Sequence, residues 1–143
     1  EAELTQERTK LDEQHALVKT QKEQLLRLSA PILEAAPGVL LLPLVGRLDG
    51  ERAAQIAERL LQTLARRSTR AVVFDLTGME AADDRSIAAL VGILRAAGLM
   101  GARCLLSGAT PGLARQFVDL DLPLPTHAIF PSASLALAAA IAQ

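Results

Sequence analysis

The chain has 143 residues, half of them apolar, and a formal net charge of -1. That length fits one domain with an appendage, and the apolar share is enough for a core. The charge balance excludes a basic field for nucleic acid or an anionic membrane. With aromatics at 2% and neither Trp nor Tyr, no base-stacking platform is available.

Other classes fall on single residues. Cys104 is the only cysteine, so no internal disulfide forms. Within Cys104-Leu105-Leu106 it reads as an inert buried thiol. His15 and His127 stand far apart, no Cys/His cluster points to a metal, and no cofactor is expected. No apolar run approaches the ~20 residues of a membrane span, and no signal peptide opens the chain. The expected compartment is cytoplasmic. The first residue is Glu1 rather than Met, which reads as a piece of something longer on the N-terminal side.

Residues 1–29 form the first unit, a helical linker rich in Glu, Gln, Lys and Arg and free of Gly and Pro. Leu4, Leu11, Val18 and Leu25 recur every seven residues. The positions three further on are Glu7, Gln14, Gln21 and Leu28. This is half a coiled-coil seam. Two readings follow: a dimerising signalling helix (Leu4, Leu11, Val18, Leu25, Leu28) below a sensor domain, or a solvated linker helix lying on its own domain.

Residues 30–143 form the second unit, in which strand and helix patterns alternate. Pro31 ends the linker, and Ile32-Leu33 starts a short edge strand. Val39 to Val45 is a strongly apolar strand in which Pro43 predicts an edge position or a bulge. A helix is expected from about Glu51 to Ala65, with Ala53, Ile56, Ala57, Leu60, Leu61 and Leu64 on one face. Ala71 to Leu76 is a second buried strand. A helix beginning at Asp83 runs to about Ala97 and is broken by Gly98 to Gly101. Ala102 to Ser107 is the next strand. Thr110 caps a helix from Pro111 to about Leu120. Ala128-Ile129-Phe130 is a short strand, and Ser132 caps a last Ala- and Leu-rich helix to Ile141. The alternation predicts an α/β fold with a mainly parallel, covered sheet.

The stretch from Leu76 to Ala88 is the most informative. It reads as a strand end, a loop, and a helix opening on two carboxylates, Asp83 and Asp84. Carboxylates there are favoured by the helix dipole and the free N–H groups. They serve as helix-start residues and also as candidates for a partner-binding surface. Asp75, at a strand end, could be a metal ligand or a phosphoryl acceptor. However, Ser107-Gly108 stands where a receiver-type site needs a Lys. Glu80 reads as a solvated loop carboxylate. Ser107 to Pro111 lacks the spacing of a phosphate-binding loop. No Ser/His/Asp set is visible, and His127 reads as a surface or strand-edge residue. Arg66, Arg67 and Arg70 read as a solvated helix end.

From about Pro31 to Ala142 the chain resembles a STAS domain, the anti-sigma-factor antagonist family. It is most similar to the C-terminal domain of RsbR-type stressosome proteins. The matching residues are Leu28-Ser29-Ala30-Pro31-Ile32, Leu42 to Asp49, Val73 to Gly78, Asp83, Leu99 to Gly108 and Pro111. The set stands in order and in register along the chain. The resemblance implies a STAS-like mixed, mainly parallel sheet with helices packed on it, preceded by the linker helix. It also implies a non-enzymatic scaffold: a homodimer, through the N-terminal helix and the STAS domain, that assembles with related STAS scaffold proteins into a large particle. Such a particle holds a serine/threonine switch kinase that acts on a downstream anti-sigma/sigma-factor pathway. In this family a phosphorylatable Ser or Thr follows the Asp matched by Asp83, and a second Thr lies in the helix after Pro111. A phosphate there adds about -1.5 to -2 charge at a helix start, where the dipole supports it.

Here the two positions are Asp84 and Gln116, neither with a hydroxyl. Three explanations stand. The chain is fixed in a phospho-like state, it is a non-switching subunit signalled only through residues 1–29, or another hydroxyl, Ser86 or Thr110, has taken over. The expected partner-binding surface is Asp83, Asp84, Arg85, Ser86 and Thr110. The alternative from another class is a small-molecule-sensing STAS domain, marked by a pocket between the strand ends and the Asp83 loop.

Overall fold

The computed structural model describes residues 30–80, 83–121 and 128–142, with Ala128 by its backbone alone. The helix expected over residues 1–29, and His127, lie outside the described residues.

Among the described residues a five-stranded sheet runs β1 (Leu33–Ala36), β2 (Val39–Pro43), β3 (Ala71–Asp75), β4 (Arg103–Ser107), β5 (Ala128–Phe130), in that spatial order. Helices α1 (Gly50–Arg66), α2 (Asp84–Leu99), α3 (Pro111–Leu120) and α4 (Ala133–Ala142) alternate with the strands. β1 is antiparallel to β2 across the Pro37-Gly38 turn; every later pair is parallel. The sheet is therefore mixed and mainly parallel, as the sequence predicts.

β3 is central and buried on both faces. Val72 and Phe74 enter the larger core with α1, α2 and α3, while Ala71 and Val73 enter a smaller one under α4. Parallel strands covered on both sides read as continuous apolar runs. α1 carries Ala53, Ile56, Leu60 and Leu64 inward, and α2 carries Ile87, Leu90, Val91, Leu94 and Ala97. These spacings of three and four residues are one face of a helix. Each fully buried Leu or Ile contributes about 1.5–3 kcal/mol.

Two sequence expectations need correction. β2 is an interior strand, so Pro43 is at neither a sheet edge nor a bulge. It stands at the strand's last position, opposite Asp75. Leu44 N donates to Asp75 O (2.9 Å). Because successive N–H groups alternate sides, the donor that Pro43 lacks would point the other way. There β1 has already stopped, its first residue Leu33 pairing with Leu41. The second correction is Gly98, which does not break α2. The helix runs to Leu99, and the chain turns at Gly101, with φ +89°.

Cys104 is fully buried in β4, its thiol directed at the Leu94 carbonyl (3.6 Å). Burial pushes the thiol pKa up to about 11. The native chain at pH 8 should therefore resist a thiol reagent that labels the denatured chain at once. The stabilisation from a neutral thiol is complete below the unfolded value of about 8.5. It is lost as pH rises through about 11. The chain has no Tyr to obscure this window. Melting temperature measured against pH should fall there for the native sequence and stay flatter for Cys104→Ala.

Candidate functional site

Parallel strands β2, β3 and β4 all end at one edge of the sheet, so their following loops share a rim. Backbone bonds tie the first two loops together. Gly46 N donates to Gly78 O (2.9 Å) and Glu80 N to Gly46 O (3.0 Å), a short parallel bridge beyond the strands. The Arg52 guanidinium donates to the carbonyls of Val45 and Arg47 and secures the other side of that loop. Asp49 caps α1 by accepting from Arg52 N (2.8 Å). Met79 is buried beneath the loop.

The third loop is fixed by a carboxylate. Asp75 Oδ1 accepts from Thr77 Oγ1 (2.8 Å) and from Ser107 Oγ (3.0 Å), linking the ends of β3 and β4. Gly108 follows at φ +71°, where a Cβ would overlap Thr77 Oγ1 and come within 2.9 Å of Asp75 Oδ1. Sequence reasoning singled out Asp75 but missed this cluster. The signal was available: Asp75 and Ser107 are the last residues of strands in register.

α2 opens on this platform. Asp83 has extended backbone (φ -79°, ψ 174°) and caps the helix. Its Oδ1 accepts from Ser86 N (2.8 Å) and from Ser86 Oγ (2.7 Å). The Ser86 hydroxyl, then the Ser86 amide, hold the Asp83 carboxyl below its ordinary range, with Arg47 and Arg85 adding to the effect. Asp84 is the first helical residue and exposed, as is Arg85. Thr110 is exposed and caps α3, accepting from Leu113 N (3.2 Å). Gln116 is half-buried on α3, which packs against α2 through Leu113 and Phe117.

Ser86 departs from the expectation of a surface residue. It is 4% exposed, and its hydroxyl donates to Asp83. A kinase needs a hydroxyl it can reach, so Ser86 does not fit the role of a substitute acceptor. The arginines are exposed, as a solvated helix end predicts, and two of them also make contacts. Arg67 pairs with Glu34 (2.8 Å), and Arg70 donates to the carbonyls of Pro37, Ala140 and Ile141. Together with Ile32, Arg59, Gln62 and Thr63, Arg66 and Arg67 line a groove of about 390 Å³ on α1, away from the strand ends where a sensing pocket was expected. Among the described residues, no helix is long and apolar enough to cross a membrane.

The geometry is one of hydrogen-bonded loops presenting a carboxylate at a helix start. A family model for the STAS domain matches residues 30–133. The chain belongs to the STAS domain family. It is 36% identical over 107 residues to the RsbT co-antagonist protein RsbRA of Bacillus subtilis (strain 168), covering 75% of this chain and 39% of that protein. RsbRB of the same organism is 36% identical over 102 residues, covering 71% and 37%. The chain thus spans well under half the length of the relatives it matches. Among solved structures, a variant of RsbS from Moorella thermoacetica superposes with a TM-score of 0.68 at 24% identity, over 79% of this chain and 95% of that one. Unphosphorylated anti-sigma factor antagonist SpoIIAA gives 0.66 at 13%, over 80% and 97%. At such identities the likeness establishes the fold. The STAS fold expected from the resemblance is the one found.

Two outcomes follow from this geometry. Asp83→Asn keeps a capping oxygen but removes the charge. The Asp83 pKa is lowered on folding, so its contribution is present above the unfolded value of about 3.9 and is lost as pH falls below that. Melting temperatures of native and Asp83→Asn chains should differ near pH 7 and converge in acid. Gly108→Ala combines a left-handed backbone with displacement of the Thr77 hydrogen bond, a loss of about 2–3 kcal/mol. Adding Thr77→Ala should recover the steric part, read as non-additivity in a denaturant double-mutant cycle.

Proposed function

We propose that this chain is the STAS part of an RsbR-type regulatory scaffold, cytoplasmic and non-enzymatic. In this reading it assembles with related STAS proteins in a stressosome-type particle and binds a serine/threonine switch kinase acting on an anti-sigma/sigma-factor pathway. The identity to RsbRA and RsbRB supports it, together with the match between the Asp83 rim and the family's regulatory position. Residues 1–29 form the linker and, through Leu4, Leu11, Val18, Leu25 and Leu28, half of a dimerising coiled coil.

The observation that carries the regulatory reading is Asp84, exposed in the first turn of α2 beside a cap already satisfied by Ser86. Where relatives of this family carry a hydroxyl, this chain carries a carboxylate side chain, with no hydroxyl to phosphorylate. Asp83 is spent on the cap, so Asp84, Arg85 and Thr110 are left to face a partner. With Gln116 at the second position and Ser86 buried, the switch is fixed rather than phosphorylated. The signal then enters through residues 1–29. A single carboxylate is a weaker mimic than a phosphate, which carries about -1.5 to -2. The fixed state therefore reproduces only part of a phosphate's effect on docking.

The test is light scattering and kinase labelling with the STAS and kinase partners encoded by the same organism. The native chain should enter a large particle with them and take no phosphate at position 84. Asp84→Thr should be phosphorylated there by the kinase that labels its own STAS substrate. Failure to associate with any STAS partner would sink the scaffold reading. Labelling of the native chain at Thr110 would replace the fixed switch by a relocated one.

A further inference from the structure

The groove on α1 takes no part in the scaffold reading. Arg59, Gln62, Thr63 and Arg66 recur at spacings of three and four, so they form one stripe of the helix, which the cap residue Arg67 extends. Ile32, packed against the larger core, completes the lining. The volume of about 390 Å³ falls in the range of about 300–1,000 Å³ typical of small-molecule sites. Most such sites are apolar with few charges. This one is the reverse, with three guanidinium groups, an amide and a hydroxyl beside one apolar residue.

The contacts already made decide which of these groups can hold a ligand. The Thr63 hydroxyl donates to the Arg59 carbonyl (2.9 Å), so its proton is taken. Arg59 is half-buried and donates to the Ala30 carbonyl (3.0 Å). Arg67 pairs with Glu34, but the two side chains are 55% and 50% exposed. An exposed pair of that kind contributes about 0–1 kcal/mol and yields to a stronger anion. Arg66 and Gln62 are exposed in the same groove.

We propose that this groove binds a small organic phosphate, its phosphate group on Arg66, Arg67 and the Gln62 amide and its organic part against Ile32. Guanidinium forks match the oxygens of a carboxylate or a phosphate in pairs. Charge selects between the two. The C-terminal end of α1 opposes an anion with about half a unit of negative charge, and Glu34 competes for Arg67. A single carboxylate gains little against both, whereas a phosphate brings about -1.5 to -2 on one centre. The site adjoins the entry to the domain, since Arg59 holds the Ala30 carbonyl. It lies along the second half of α1, whose first residues leave the strand-end rim, and is independent of the scaffold reading.

The experiment titrates the full chain with phenyl phosphate at pH 8 and low ionic strength, followed by the backbone amide signals in NMR. The probe is a dianion there, because the second pKa of a phosphate ester is about 6. Phenyl sulfate has the same shape and one charge. Phenyl phosphate should bind at least fivefold more tightly than phenyl sulfate, and the signals of Ile32, Gln62, Arg66 and Arg67 should move most. Arg66→Gln should weaken binding at least fivefold. Arg115→Gln, which removes the same charge from an exposed position on α3, should leave binding unchanged. Equal binding of phenyl sulfate, or an equal loss in both variants, would show general charge attraction and overturn the site. Signals that move at Asp84 and Arg85 instead would overturn it as well. None of these outcomes bears on assembly with STAS partners, so the two readings fail separately.

Discussion

The parallel register of β2, β3 and β4 is the constraint on which the rest of the molecule depends. Val39, Ala71 and Arg103 begin together, and Pro43, Asp75 and Ser107 end together. Because side chains alternate along each strand, that register sends Val72 and Phe74 to one core and Val73 to the other. A one-residue slip would exchange the two sets and put Phe74 under a helix of alanines. The register also brings three loops to one rim, which holds two of the glycine turns at positive φ, Gly46 and Gly108. The site is thus a consequence of strand pairing before it is a matter of particular side chains.

At that rim, two adjacent aspartates divide the work. Asp83 and Asp84 look equivalent in the sequence, and the helix dipole favours both. Geometry separates them. Asp83, in extended backbone, turns its carboxylate back onto the Ser86 amide and hydroxyl. Asp84, one residue later, is inside the helix and faces solvent. A cap group is not available to a partner without cost to the helix. An exposed first-turn residue is available at little cost. This is why the proposed regulatory reading rests on position 84, and why neutralising Asp83 would act on stability first.

Much of this was legible in the sequence because the elements are short, separated by turn residues, and apolar on clear periods. α3 and β5 fall where the pattern puts them, with Thr110 as cap. What was not legible depends on neighbours that a linear pattern does not contain. Pro43 reads as an edge residue, and only the early end of β1 explains its place inside the sheet. Gly98 reads as a breaker, but α2 buries Ala97 and runs through it until Gly101 supplies the left-handed turn. Ser86 reads as a surface hydroxyl because a helix start is usually solvated. Its burial, with the hydroxyl turned onto Asp83, is not contained in the linear pattern. Arg70 reads as part of a solvated helix end and is exposed, but its donation to the last carbonyls of α4 was not legible.

The domain therefore presents two surfaces of opposite chemistry. The rim is charged, with Asp84 and Arg85 exposed beside a rigid set of loops, and a single charge changes what it attracts. The outer face of α4 (sequence ASLALAAAIA) is uncharged and cannot be tuned by protonation or salt over the physiological range. A contact made by apolar burial is indifferent to phosphorylation elsewhere, whereas docking at a charged helix start is sensitive to it. At position 84 this chain carries an exposed carboxylate in the first turn of α2.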